Sequence, residues 1–209
     1  MAYINREDAW NQYLPKIENE KSVFYSFYDK ALSEKEPIFK CKFYKPAEEP
    51  AENLLAALDY AQLLQPKNGE LYVAERKTVT ELPSLIESEK IKCSVFLDIK
   101  GDYGNVFASA ISKILAENGF IISIDKNKSN YIATIDVENN SIGENPLSIT
   151  PSIDFKLYGK YKAVYSLNDR LENKTVAYEL EKAQKKAYPK LAEKFCEKLS
   201  TDLAEILGK

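Results

Sequence analysis

Histidine is absent from this 209-residue sequence. The chain therefore lacks the side chain that most often acts as a general base near neutral pH and that most often binds metals in proteins. A Ser-His-Asp triad and a Cys-His pair are both excluded. Catalysis by carboxylates or lysines remains possible, but without a histidine to act as general base.

Cysteine is scarce, with Cys41, Cys93 and Cys196 far apart along the chain. No Cys-x-x-Cys motif occurs, so the sequence supports neither a zinc site nor a redox site, and we expect no cofactor. Cys41 and Cys93 both lie in runs that suit strands. Burial as thiols is the commoner outcome for such residues, and a disulfide in an oxidising compartment is the alternative.

Long apolar runs are also missing, since no window approaches the roughly 18 residues that a membrane span needs. The net charge of −3 implies no general attraction to nucleic acid, and we expect no nucleic-acid partner. What the chain does have is 44% hydrophobic and 29% charged residues, with 14 Tyr and 9 Phe. That balance is typical of a globular protein with a large core.

The first half of the chain, residues 1–89, is predicted to be mostly helical. Apolar residues recur at spacings of three and four over residues 7–33, where Pro15 predicts a kink or a break. "PAENLLAALDYAQLLQP" predicts a helix that starts near Pro50. "EPIFKCKFYKP" predicts a short strand, "ELYVAE" suggests another, and "TVTELPSLIESEK" suggests a short helix or turn before the second half.

The second half, residues 90–209, alternates strand and helix patterns. Strands are predicted at "KCSVFLDIK", "FIISI" and "YIATIDV", and one long strand over residues 153–167. A helix capped by Asn105 is predicted to run to Asn118, and a last helix from Leu180 with a kink at Pro189. These patterns predict an α+β fold: a mainly antiparallel sheet, amphipathic helices on one face and an N-terminal helical region.

"GDYGN", residues 101–105, joins a predicted strand to a predicted helix. It matches neither a Walker loop nor a Rossmann turn, although a helix N-terminus can bind an anion through free N–H groups. Asp98 and Asp102 flank the turn and would repel an anion. We therefore expect a structural turn.

Carboxylates are the remaining candidates for catalysis, since glycosidases use two at short separation. Five aspartates are predicted to lie on strands or near strand ends: Asp98, Asp102, Asp125, Asp136 and Asp154. Nothing in the sequence indicates that any two converge. Surface solvation is the simpler interpretation.

Lys156, Lys160 and Lys162 share one face of the long predicted strand, with Tyr158 between them. This pattern suits a protein partner or anionic lipid headgroups, and it is also typical of a solvated sheet face. Interleaved lysines and aromatic residues also occur in proteins that bind single-stranded nucleic acid. These four residues are the candidate contact site for a partner or a headgroup.

Residues 92–207 resemble the small α/β modules of the bacterial cell envelope. The resemblance lies in a helix ending "LAENGF", the following "NYIATIDV" and the strand "DFKLYGKYKAVYSL". The similar proteins are the TolB amino-terminal domain, CsgG-like proteins and the lipoprotein activators of penicillin-binding proteins. The resemblance implies a non-enzymatic role in envelope assembly and supplies no catalytic residues.

We therefore expect a non-enzymatic binding or assembly module of the bacterial cell envelope, periplasmic or associated with the outer membrane. The native protein would be secreted or lipid-anchored, with its signal removed from the present sequence. The alternative is a lipid- or membrane-interacting protein whose amphipathic helices surround an apolar cavity. A carboxylate hydrolase is a third hypothesis, and a cytoplasmic location is the alternative to the envelope.

Overall fold

The computed structural model describes residues 5–64, 72–143 and 146–207. The chain divides into two units, Met1–Lys90 and Ile91–Lys209. The helices are α1 (Arg6–Ser33), α2 (Pro37–Tyr44), α3 (Glu48–Leu64), α4 (Val73–Ile91), α5 (Val106–Glu117) and α6 (Leu180–Leu207). The strands are β1 (Ser94–Lys100), β2 (Ile121–Ser123), β3 (Tyr131–Ile142), β4 (Leu147–Tyr158), β5 (Ala163–Arg170) and β6 (Thr175–Ala177).

The first unit is built on a heptad stripe of α1. Trp10, Ile17, Phe24 and Ala31 recur every seven residues, and all four are buried. This spacing places them on one side of the helix, where they form a core with buried residues of α3 and α4. An ion pair of 2.6 Å between Lys21 and Glu75 lies outside this core.

The strand predicted in this unit is wrong, and the helix predicted near its end is longer than expected. Residues 37–44 form α2 instead of a strand, because Pro37 occupies the first helical turn, where its fixed φ and missing N–H are tolerated. The suggested short helix or turn at "TVTELPSLIESEK" is part of the 19-residue α4. The suggested strand "ELYVAE" begins at residues outside the described part of the chain, and from Val73 onward it is helical.

Neither internal proline of the long helices ends its helix. Pro15 lies inside α1 and Pro189 inside α6, each a helix of 28 residues. An interior proline costs about 3 kcal/mol through a lost hydrogen bond and a steric clash. Each helix buries four or more side chains, and each large one contributes about 1.5–3 kcal/mol, so packing outweighs the proline.

The second unit confirms the predicted α+β fold. Its sheet has the order β2-β1-β3-β4-β5, and β6 pairs with β4 beyond the end of β5. The sheet is mixed, because β1 runs parallel to both β2 and β3 whereas the remaining pairs are antiparallel. Buried and partly exposed residues alternate along β3 and β4, as expected when one face of a sheet is covered.

Helices α5 and α6 cover one face of this sheet. Phe155 of β4 lies 6.1 Å from Phe195 of α6, between ring centroids, and 6.2 Å from Tyr165 of β5. Tyr188 of α6 packs edge-on against Phe107 of α5, with centroids 5.3 Å apart. We call the opposite face, which carries the even-numbered residues of β3 and β4, the open face.

The long strand predicted over residues 153–167 is wrong, because these residues form the β4–β5 hairpin. The Gly159 N–H donates to the Lys162 carbonyl at 2.9 Å and closes the turn. Phe155 pairs with Leu167 and Leu157 with Tyr165, so odd-numbered residues face the same side on both strands. The two strands therefore keep the same odd–even alternation although the register shifts at the turn, where Tyr158 pairs with Ala163, and periodicity alone does not reveal the hairpin.

Candidate functional site: the open face of the sheet

The turn at residues 101–105 is structural. Asp102 accepts the N–H groups of Phe107 at 3.2 Å and Ala108 at 2.8 Å, so its own carboxylate occupies the N-terminus of α5. This is the position where an external anion would bind. The predicted cap, Asn105, makes no capping hydrogen bond because its φ of 56° is left-handed.

A buried network fixes the same turn. The Tyr188 hydroxyl donates to the Gly101 carbonyl at 2.9 Å. It accepts hydrogen bonds from Asn139 Nδ2 at 2.9 Å and from Gln184 Nε2 at 3.2 Å. These bonds join β3, α6 and the turn, so the turn at residues 101–105 has a structural role.

Three of the five candidate aspartates have local partners. Asp98 pairs with Lys126 at 2.8 Å, and this hydrogen bond lowers the pKa of the carboxyl below its usual value. Asp102 caps α5, and Asp125 accepts the N–H of Asn127 at 3.0 Å in the turn after β2. These side chains therefore have structural roles.

The other two aspartates meet on the open face. Asp136 of β3 and Asp154 of β4 lie directly opposite each other in the antiparallel register. Like charges at such positions, with Cβ atoms about 5 Å apart, are destabilising unless they are compensated. Lys156 lies 2.6 Å from Asp154, and Lys100 lies 3.9 Å from Asp136. The hydrogen bond to Asp154 raises the pKa of Lys156.

A shallow groove of about 660 Å³ runs across this part of the open face. Acidic residues lie on β3 and β4, and basic residues on β4 and β5, with hydroxyl and amide groups between them. Its lining includes Asp136, Glu138, Ser152, Asp154, Lys156, Ser166, Asn168 and Arg170. Such a surface offers donors, acceptors and both signs of charge to a polar partner.

The four predicted contact residues are only partly brought together. Lys156 lines the groove, whereas Tyr158 lines a separate hollow of about 340 Å³ with Lys160 of the β4–β5 turn. Lys160 and Lys162 both belong to this turn, not to a strand face. Sequence reasoning missed Glu138, Asn168 and Arg170, because only the strand register brings them to Lys156.

The long amphipathic helix α6 uses its apolar face for the core of the second unit. The apolar stripe of α6 is buried, from Ala183 to Leu207. Two lysines of its polar face, Lys194 and Lys198, lie 3.2 and 2.7 Å from the buried carboxylate of Asp169. No helix within residues 5–64, 72–143 and 146–207 is long and apolar enough to cross a membrane.

Cys41 and Cys93 keep their thiols, on α2 in the first unit and just before β1 in the second. Cys93 is fully buried. Burial also raises the pKa of the Cys196 thiol to about 11, which disfavours the reactive thiolate.

Comparison with known proteins adds a partial likeness of fold. No protein-family model matches the chain, and no curated protein matches it. A candidate lipoprotein from Caulobacter crescentus is similar over 57% of this chain and 93% of its own, with 15% identity and a TM-score of 0.37. A minor lipoprotein from Acinetobacter baumannii is similar over 54% of this chain and 95% of its own, with 12% identity and a TM-score of 0.34.

A protein from Xanthomonas campestris is similar over 55% of this chain and 81% of its own, with 14% identity and a TM-score of 0.27. None of the three is of the TolB, CsgG or penicillin-binding-protein-activator type. At these identities and TM-scores, the likeness establishes neither a family nor a function.

Proposed function

We propose that this chain is a non-enzymatic binding module of the bacterial cell envelope, in which the open face of the sheet binds a partner protein. The observation that carries the proposal is the groove around Lys156, Asn168 and Arg170. Within the second unit, α5 and α6 cover the other face, so this surface presents charged and amide groups that the core of the unit does not use. The envelope location rests on the sequence resemblance over residues 92–207.

The groove suits binding better than hydrolysis. Asp136 and Asp154 are 47% and 42% exposed, and each has a lysine beside it. A general acid of the glycosidase type instead needs a carboxyl that burial keeps protonated. An open surface with charges of both signs is typical of the polar rim of a protein interface.

Charge reversal tests the proposed face. A photo-crosslinking residue at Asn168, in the full chain expressed in its native cells, should give a discrete protein adduct. Lys156→Glu should remove that adduct, because it would place a third carboxylate beside Asp136 and Asp154. Lys113→Glu is the matched control, since Lys113 is an exposed lysine of α5, paired with Glu117 at 3.9 Å.

A second comparison separates the groove from the turn. Lys160→Glu with Lys162→Glu changes the other two predicted lysines without changing the lining of the groove. An adduct lost only in this double variant would move the contact to the β4–β5 turn. An adduct kept in every variant would refute the open face as the binding surface, and fractionation of the same cells tests the envelope location.

A further inference from the structure

Exposed apolar residues gather at one end of the sheet, away from the groove. Ile142 of β3 pairs with Ser148 of β4, and Ser148 pairs with Val176 of β6. Ile142 and Val176 therefore flank Ser148 on the open face, about 10 Å apart across three strands. Both are exposed, as are Tyr178 and Leu180, which follow in the connection to α6.

The pattern of burial shows why these side chains stay outside the core. Ala177 is buried between Val176 and Tyr178, as the two-residue period of a strand requires. Tyr178 is 78% exposed, the highest exposed fraction among these four residues. We call Ile142, Val176, Tyr178 and Leu180 the apolar tip.

Lysines are frequent in the chain segment that carries three of the four residues of the apolar tip. The segment from Lys174 to Lys190 contains five lysines and two glutamates, in a chain whose net charge is −3. Lys182 pairs with Glu179 at 2.7 Å. Lys185 and Lys186 are exposed, and neither makes an ion pair within the described residues. They differ in this from Lys194 and Lys198, which bind Asp169 further along α6.

A second exposed apolar segment provides a contrast within the same unit. Ile121, Ile122 and Ile124 follow one another at the β2 edge, and Ile124 is 99% exposed. Here the neighbouring lysines are engaged, because Lys126 binds Asp98 at 2.8 Å and Lys128 lies 3.5 Å from Asp125. Exposed apolar side chains and lysines without an ion pair therefore occur together in the segment from Lys174 to Lys190, and not around β2.

We propose that the apolar tip docks this chain on an anionic bilayer surface, with Tyr178 and Leu180 in the headgroup region and Lys185 and Lys186 against acidic lipid. Tyrosine is enriched at membrane interfaces, where its ring and its hydroxyl meet different environments. Lysines near an anionic surface each strengthen binding about fivefold. This proposal is independent of partner binding in the groove.

A bilayer fits this surface better than a protein partner does. A stable protein interface covers about 800 Å² on each side and packs its anchors into pockets. The tip has four apolar side chains, and none of them lines the cavities described above. Shallow insertion beside attracted headgroups requires neither a pocket nor a large area.

Vesicle flotation of the full chain tests the proposal. Vesicles of phosphatidylcholine with phosphatidylglycerol should carry the protein at low salt, and binding should weaken at about 0.15 M salt because the charges are screened. Vesicles of phosphatidylcholine alone should bind much less. Absence of flotation on the anionic vesicles, or equal flotation on both kinds at every salt concentration, would overturn the proposal.

Paired variants locate the contact. Lys185→Gln with Lys186→Gln should weaken binding roughly 20-fold, and Tyr178→Ser with Leu180→Ser at least about tenfold. Lys126→Gln with Lys128→Gln, and Ile124→Ser, should leave binding unchanged. Equal losses in the two sets would refute the assignment to the apolar tip.

A fluorescence measurement keeps the test independent of small changes in folding. Tyr178→Trp should give a blue-shifted emission when anionic vesicles are added, after subtraction of the signal of Trp10 in the parent chain. Ile124→Trp should show no shift. An unshifted emission from the Tyr178→Trp variant, in a chain that still floats, would show that another surface binds the vesicle.

Discussion

Gly101 and Gly104 show how two residues with the same backbone conformation can differ in what they tolerate. Both have a φ of +73°. A Cβ at residue 101 would overlap the carbonyl oxygen of Val137 in β3, whereas the nearest atom to a Cβ at residue 104 is 4.0 Å away. The lack of space at Gly101 therefore results from the pairing of β1 with β3, which are distant in sequence.

We expect Gly101→Ala to lower the free energy of unfolding by about 3 kcal/mol or more, since steric overlap adds to left-handed strain. Gly104→Ala should cost only about 1 kcal/mol, from the strain alone. Urea denaturation of both variants measures the difference. Equal losses would show that the turn does not approach Val137 closely.

Asp102, and not the predicted Asn105, caps α5. Asp102→Ala should destabilise the chain by about 1 kcal/mol, because the N-terminus of α5 loses its acceptor. Asp102→Asn should retain most of this stability. Asn105→Gly should change it by less than about 0.5 kcal/mol, since glycine adopts the left-handed conformation freely. A larger loss in Asn105→Gly would identify Asn105 as the cap.

At the scale of elements, Asp169 joins β5 to α6. Its carboxylate is only 7% exposed and lies close to Lys194 and Lys198. Burial acts to raise the pKa of this carboxyl. The hydrogen bonds from Lys198, from the Arg170 N–H and from Lys194 outweigh burial, so its pKa is lowered. Ionised Asp169 therefore stabilises the folded state.

The stability from Asp169 is present above its unfolded pKa of about 3.9 and is lost as the pH falls through the lower folded pKa. Asp169→Asn should cost about 2 kcal/mol at pH 7, and the difference from the parent chain should shrink below about pH 4. Denaturant titrations from pH 2 to pH 7 measure it. Glu172→Gln, whose carboxylate is exposed beside Lys194, should have little effect; an equal effect would place the stabilisation outside Asp169.

Helices with a regular apolar spacing could be predicted from the sequence. Features that depend on which strands pair, and in which register, could not. The α1 stripe and the α5 helix follow from apolar spacing. The odd-numbered residues of β4 and β5 face the same side, so the hairpin between them could not be recognised from the alternation of the sequence. Residues 37–44 contain too few positions to separate the periods of strand and helix, and the helix-compatible Pro37 was the informative signal.

In the candidate site too, the residue found from local sequence was predicted, and the residues that strand pairing brings to it were not. Lys156 was predicted from its exposed, lysine-rich surroundings, but its neighbours Asp136 and Arg170 come from other strands. The apolar tip was missed because Ile142 and Val176 are far apart in sequence and meet only through Ser148. Exposed apolar residues also resemble core residues in a sequence, and only the fold distinguishes them.

At the scale of the whole molecule, each unit has its own core. The heptad stripe of α1 packs with residues of α3 and α4, all within Met1–Lys90. The sheet, α5 and α6 form a second core within Ile91–Lys209, whose size is near that of a typical domain. A unit with a complete core and internally paired strands is expected to fold alone.

We therefore expect a fragment of residues 91–209 to fold cooperatively, with one unfolding transition and dispersed amide resonances. Its lysine pairs with Asp169 and the Tyr188 network remain within the fragment. Gly101→Ala in the fragment should therefore reproduce the loss measured in the full chain. A fragment with helical circular dichroism but no cooperative transition would show that the second core requires the helical unit.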